Sequence, residues 1–324
     1  MENLIFSLNA TVPVFLMMLL GMLLQKLGWI DEAFASKMNQ FVFLVPLPVL
    51  VFHDLAAADI GDVWNFRFVA FCFLVTAASI AICAALSCFL KEKALRGEFI
   101  QASYRSSAAL LGIALTTNIY GDAGLVPLMI IGSVPLYNVM AVVVLSLTSP
   151  AGRASGRQDP SSPLRDAGLW KSTLKGIVTN PIILGIAAGL LWSVLRLPFP
   201  PILEKTVSSL GDLAAPLGLM AMGATFRLDR AMGQAKPAIA ASVIKLTGFC
   251  ILFLPLAVRM GFRGEELVAI LIMLGSATTV SSYVMAKNMG HDGTLTSNTV
   301  MLTTLFSAFT ITGWLFLLKS LNLL

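Results

Sequence analysis

Two stretches of this 324-residue chain are apolar enough to lie inside a bilayer yet dense in Gly, Ser and Thr. They read Arg105-Ser-Ser-Ala-Ala-Leu-Leu-Gly-Ile-Ala-Leu-Thr-Thr-Asn118 and Leu274-Gly-Ser-Ala-Thr-Thr-Val-Ser-Ser-Tyr-Val-Met-Ala-Lys287. Small residues permit close helix packing, and hydroxyls can satisfy backbone groups freed where a helix unwinds. Two opposed breaks at mid-membrane would present half-helix N-termini, whose free N–H groups and partial positive charge suit a carboxylate. The alternative is a pair of ordinary small-residue packing helices.

Charges in apolar runs are functional candidates. Lys245 lies eight residues beyond Pro237, close enough to a span end to snorkel, or else it meets a substrate. Arg105 opens the first stretch and either attracts anions or anchors the helix. Tyr137 and Asn138, just after Pro135, put a hydroxyl and an amide at membrane depth; Asn138 lines a site or bonds a neighbouring helix. Asp54 falls near a span end and Asp212 early in a span, so no acid sits clearly at mid-membrane, which argues against carboxylate-based ion coupling.

The elements that must position these groups follow from composition and periodicity. The chain is 57% hydrophobic and 12% charged, against about 25% charged in soluble domains. Its apolar residues fall in runs long enough to cross a hydrocarbon layer as helix. Ten such runs are expected: 4–26, 38–57, 66–90, 99–119, 124–148, 172–195, 204–226, 237–259, 267–288 and 295–319. The first is read as a retained helix, because Glu2 replaces a basic n-region and no small-x-small cleavage site follows. The Gly-, Ser- and Pro-rich stretch 149–170 is a linker between residues 1–148 and 171–324, giving five spans plus five.

Pro13, Gly21 and Pro48 recur 168 positions later as Pro181, Gly189 and Pro216. Tyr120-Gly-Asp-Ala-Gly124 is echoed by Met289-Gly-His-Asp-Gly293 at a shift of 169. A five-span half ends on the side opposite its start, so the repeat must be inverted, with a site near the midplane between halves. Most of the 22 Lys and Arg cluster on one set of alternating loops, which places both termini outside an inner (plasma) membrane. The net charge of +5 is explained by those loops, and nucleic-acid binding is not expected.

Enzymatic chemistry is not indicated. His53 and His291 lie far apart near span ends, and no HExxH, GxSxG or P-loop pattern occurs. Cys72, Cys83, Cys88 and Cys250 have no metal-ligand spacing and read as small buried hydrophobes. No metal and no cofactor is expected.

At these motifs the chain resembles the auxin efflux carrier family, which includes the plant PIN carriers and bacterial organic-acid permeases. The resemblance covers nearly the whole chain. It rests on Arg105-Ser-Ser with the following Gly112-Ile-Ala-Leu and Tyr120-Gly-Asp-Ala-Gly, on Asn180-Pro181, on Ala215-Pro216-Leu217 with Met222-Gly-Ala, and on Thr278-Thr-Val-Ser-Ser-Tyr-Val-Met-Ala. Thr303-Thr-Leu-Phe-Ser resembles the family's closing helix. The resemblance implies an all-α, ten-helix inverted repeat. Spans one, two, six and seven would form a scaffold able to homodimerise, spans three to five and eight to ten a moving transport domain, and spans four and nine would cross as broken helices.

Two departures stand out. Ser107 replaces the family's usual Asn, and Ala114 and Ala277 replace the usual crossover prolines, so helix breaking must rest on Gly112, Gly275 and the hydroxyl residues. The expectation is a secondary carrier moving a small organic anion by alternating access, as an elevator or by rocking. The leading substrates are mono- or dicarboxylates such as malate or malonate, followed by auxin-like aromatic acids. The residues expected to bind are Ser106, Ser107, Gly112, Ile113, Tyr137, Asn138, Thr278, Thr279 and Ser281, with Pro48 and Pro216 shaping the cavity. A sodium-coupled symporter of the bile-acid type and a non-transporting receptor of the same fold are the rivals.

Overall fold

The computed structural model describes residues 13, 16–57, 65–108, 115–116, 119–120, 124–149 and 178–324. Gly112, Ile113 and Ala114 lie outside this set, as does nearly all of the expected linker 149–170. The described residues form a multi-pass helical bundle. In chain order the helices are α1 (Leu16–Lys26), α2 (Glu32–Leu44), α3 (Pro46–Ala56), α4 (Phe66–Ser87), α5 (Arg96–Tyr104), α6 (Val126–Thr148) and α7 (Pro181–Val194). They continue as α8 (Pro201–Asp212), α9 (Ala214–Ala224), α10 (Ala235–Val243), α11 (Phe249–Arg259), α12 (Gly264–Gly275), α13 (Ser281–Asn288) and α14 (Thr294–Ser320), with short turns between some of them.

Among the described residues six helical stretches are long and apolar enough to cross a membrane: Glu32–Ala56, Phe66–Ser87, Val126–Thr148, Pro201–Ala224, Ala235–Arg259 and Thr294–Ser320. α1 and α7 are shorter apolar helices. Large apolar side chains such as Phe66, Phe89, Ile202 and Phe316 stand fully out from the bundle, as a surface solvated by lipid requires. Cys88 is likewise exposed, so it is not the buried hydrophobe expected; the other three cysteines are.

Local chemistry sets the helix starts. The Asp31 carboxylate accepts the Phe34 amide at 2.6 Å and starts α2 at Glu32, six residues before the expected span. Asn65 caps α4 through the Phe68 amide (3.1 Å). Asn180 caps α7 through Ile182 (3.0 Å), with Pro181 in the first helical position, where a missing N–H costs nothing.

Two long stretches are interrupted, one at Val45 between α2 and α3, the other at Leu213 between α8 and α9. These positions are 168 apart, and each is followed three residues later by the repeated proline, Pro48 or Pro216. The prolines therefore sit in the first turn of a new half-helix, where they fit, rather than in a helix interior.

Packing repeats at the same interval. A Cβ on Gly189 of α7 would lie 2.7 Å from the Phe52 carbonyl oxygen of α3, and one on Gly21 of α1 would overlap the Met220 carbonyl of α9. Gly189 is 168 residues beyond Gly21, and Met220 is 168 beyond Phe52. Only glycine permits backbone approach this close, so one contact is built twice. Gly124 (φ +50) and Gly293 (φ +78), 169 apart, both take left-handed conformations just before the last long helix of their half. α12 lies at the centre: every residue from Leu267 to Gly275 is buried.

Candidate functional site

The two Gly/Ser/Thr-rich stretches are both broken and meet one another. α5 ends at Tyr104, and Arg105 turns extended (φ −68, ψ 143). The break at 105–107 falls on Ser106 and Ser107, among the hydroxyl residues expected to share it; Gly112 lies outside the described residues. α12 ends at Gly275, Ser276 turns extended (φ −74, ψ 162), and helix resumes as α13 at Ser281. A Cβ at Gly275 would lie 2.8 Å from the Cys250 sulfur, so the residue at this break must be glycine unless its neighbours move.

The crossing is closed by hydrogen bonds between the halves. The Ser107 amide donates to the Ala277 carbonyl (2.9 Å), and the Ser106 and Ser276 hydroxyls bond each other. Thr278 is tied on both sides. Its hydroxyl donates to the Ala102 carbonyl (2.8 Å), and its amide donates to the Thr303 hydroxyl (3.0 Å). The Gln101 side-chain amide reaches the Ser282 carbonyl at 2.9 Å. Hydroxyl and amide groups thus satisfy backbone that two broken helices leave open, which lipid would not do.

Lys245 braces the second break from behind. A single π-helical turn, Ile244–Gly248, separates α10 from α11 and turns Lys245 inward, where it is only 1% exposed. Its ammonium donates to the Met273 (3.1 Å) and Leu274 (2.8 Å) carbonyls, the last of α12. A cation at a helix C-terminus is favoured by the partial negative charge there. Lys245 is thus buried rather than snorkelling, and the π turn aims it at the end of α12.

In front of the crossing lies a cavity of about 70 Å³. Arg105, Ser106, Ser107 and Ala108 of the first break line it, with Thr279 and Ser281 of the second. Val134, Tyr137 and Asn138 come from α6, and Leu47, Leu50, Val51 and Asp54 from α3. Arg105, 3% exposed, is the central polar group. Its Nη2 donates to Asn138 Oδ1 at 2.7 Å and to Ser281 Oγ at 2.8 Å, and its Nη1 contacts the Met285 sulfur. Its Nε has no partner. Asn138 also donates to the Val134 carbonyl (3.0 Å), which turns its own oxygen toward the arginine. Thr279 and Ser281 bond each other at 3.1 Å at the N-terminus of α13. The Tyr137 hydroxyl is directed at the Met273 carbonyl (3.3 Å).

Among the described residues the ion pair formed is Arg227 with Glu32, at the surface. Arg105 thus carries its charge in an apolar bundle without a carboxylate contact. A buried guanidinium with a spare N–H and a fork of donors is suited to a carboxylate.

The cavity brings together Arg105, Ser106, Ser107, Tyr137, Asn138, Thr279 and Ser281. It does not include Thr278, which is spent on the crossing, or Ala277, whose carbonyl is. Pro48 and Pro216 are not on its wall either; Pro48 backs onto Gly185 of α7. Sequence reasoning missed the α3 wall. The signal was there: positions 47, 50, 51 and 54 follow the i, i+3, i+4, i+7 spacing of a single helix face. No cluster of three or more His, Cys, Asp or Glu able to hold a metal occurs among the described residues.

A family model described as "Membrane transport protein" matches residues 6–315. The chain is 24% identical over 319 residues to a "Putative malonate transporter" of Rhizobium meliloti (strain 1021), covering 95% of both proteins. It is 22% identical over 313 residues to an "Uncharacterized transporter" of Methanothermobacter thermautotrophicus (strain Delta H), covering 95% of this chain and 97% of that protein.

Proposed function

Since the chain belongs to the membrane transport protein family, we propose that it is a secondary carrier whose substrate is a small organic anion bound at Arg105. The observation that carries this reading is the buried guanidinium, unpaired by any acid among the described residues, at a cavity where two broken helices cross. A charge inside a membrane protein is expensive, and an anionic substrate would offset that cost only while bound. One carboxylate oxygen would meet the guanidinium, and the other would face the hydroxyls of Ser107, Thr279 and Ser281 at the positive end of α13. The malonate named for the Rhizobium relative belongs to this chemical class.

The architecture fits alternating access about an inverted repeat of two five-span halves. The twin contacts Gly21–Met220 and Gly189–Phe52 and the twin interruptions at Val45 and Leu213 support that repeat. α1–α3 and α7–α9 would form the scaffold, a candidate homodimer surface, and the remaining helices would form the body that moves against it. Both termini would then lie outside the inner membrane. One end of the path is held shut by the Thr225 and Tyr283 hydroxyls (2.5 Å), joining α9 to α13, and by the Asn288 side chain on the Asn39 carbonyl (3.2 Å). Sodium coupling gains no support at the second break. Carbonyls of the kind a sodium ion uses, those of Met273 and Leu274, are taken by Lys245.

The test is flux of a labelled organic-acid panel into liposomes holding the purified protein, with pH and sodium gradients varied separately. Uptake of at least one short-chain carboxylate, independent of sodium, is expected. If no organic anion moves, the carrier reading falls; ligand binding without flux would favour a receptor.

A further inference from the structure

The α3 wall brings an acid to an anion site. Asp54 is half-buried, lies on the same helix face as Leu47, Leu50 and Val51, and borders the cavity that Arg105 borders from the first break. Among the described residues no hydrogen bond or ion pair occupies its carboxylate, and it forms no ion pair with Arg105. The cavity therefore holds one cation on the crossing segment and one free acid on the facing helix.

We infer that this site selects short monocarboxylates carrying a hydrogen-bond donor at the end remote from the carboxylate, hydroxylated or zwitterionic, over dicarboxylate dianions. The inference rests on the anion-carrier reading and narrows it. With the substrate carboxylate on Arg105, the remote end of the molecule meets Asp54. A hydroxyl or ammonium there donates a charge-assisted hydrogen bond. A methyl group leaves the acid unmatched. A second carboxylate is set against a like charge in a poorly screened space, which builds discrimination through repulsion.

The helices packed on α3 bring charges of both signs, Glu204, Lys205 and Asp212 of α8. On its own helix the neighbour is His53, whose Nε2 has no partner. α7 and α9 bring no titratable side chain, and α6 brings only Tyr137. Size agrees: 70 Å³ corresponds to about five water-sized positions, enough for a three-carbon acid.

The experiment uses the full-length protein in liposomes at about pH 8.5, where carboxylates are ionised and alkylammonium groups still protonated, with labelled 3-hydroxypropionate as tracer. Four unlabelled competitors share a three-carbon skeleton and differ at the remote carbon: propionate, 3-hydroxypropionate, β-alanine and malonate. In the wild type, 3-hydroxypropionate and β-alanine are expected to compete at concentrations about tenfold below propionate, with malonate weakest. In Asp54→Asn malonate is expected to gain about tenfold and β-alanine to lose about as much. Malonate as the strongest wild-type competitor overturns the inference and leaves the carrier reading standing. So do unchanged ratios in Asp54→Asn protein that elutes and melts as the wild type does. If Asp54→Asn fails to fold, Asp54→Ser takes its place, and the wild-type ranking decides by itself. Absence of flux for any organic anion overturns the carrier reading and this inference together.

Discussion

Arg105 and Lys245 are both cations buried in the apolar bundle, each beside one of the two helix breaks, and among the described residues neither has an acid in contact. Their surroundings separate them. Lys245 sits behind the second break and donates hydrogen bonds to the Met273 and Leu274 carbonyls, in the last turn of α12. Arg105 sits in front of the first break, held by one amide oxygen and one hydroxyl, with its Nε unused and the cavity before it. One charge is consumed by the fold and the other is held available. A buried charge in a membrane protein thus marks a site only when its donors are not already spent on backbone.

Substitutions can break this comparison. The largest effect is expected from Arg105→Ala: loss of about 2–5 kcal/mol of anion binding, a drop of roughly 30-fold or more in liposome flux, with little change in melting temperature. Arg105→Lys keeps the charge without the fork and is expected to recover only part of it. Flux within a few-fold of wild type in Arg105→Ala would remove the arginine from the site.

Lys245→Met is expected to show the opposite profile. The Leu274 carbonyl loses its partner, at about 1–3 kcal/mol, and the Met273 carbonyl keeps only the Tyr137 hydroxyl, so the melting temperature falls, while the protein that remains folded keeps its substrate ranking. A changed ranking without lost stability would show that Lys245 faces substrate after all.

The twin scaffold contacts come next. Gly21→Ala and Gly189→Ala are each expected to cost about 1–3 kcal/mol through forced separation of backbones. Equal losses in thermal or denaturant unfolding would sharpen the repeat, whereas a large loss at one site and none at the other would count against it.

The smallest effect is expected at the hydroxyls. Ser281→Ala removes one bond to Arg105, worth about 1 kcal/mol, and is expected to weaken substrate affinity about fivefold. Thr278→Val, its neighbour on the crossing, is expected to lower stability by a similar amount and leave affinity unchanged. Identical behaviour of the pair would erase the distinction between cavity and crossing.

Much of this was legible along the chain. Hydropathy marked the apolar runs because membrane insertion is decided by local composition over about twenty residues. The 168-residue echo of prolines and glycines located both close glycine contacts and the spacing of the interruptions, since those residue types are chosen by backbone demands that recur with the fold. The Gly, Ser and Thr density of the two stretches foretold that both would break. Where the first one breaks was not legible, because the break at 105–107 is held by a bond from Ser107 to Ala277, 170 residues away.

What the sequence determined by itself, then, is the membrane class, the 168-residue echo and the two segments rich in small and hydroxylated residues, all of them legible from residue types and spacing. Tertiary structure alone decided that Arg105 faces a cavity while Lys245 faces carbonyls, that Thr278 serves the crossing while Thr279 serves the site, and that Asp54 joins them from α3. Each of these depends on the angle at which two broken helices cross and on the turn that aims a side chain. Such geometry arises from contacts between residues far apart in the chain, and no local pattern encodes it.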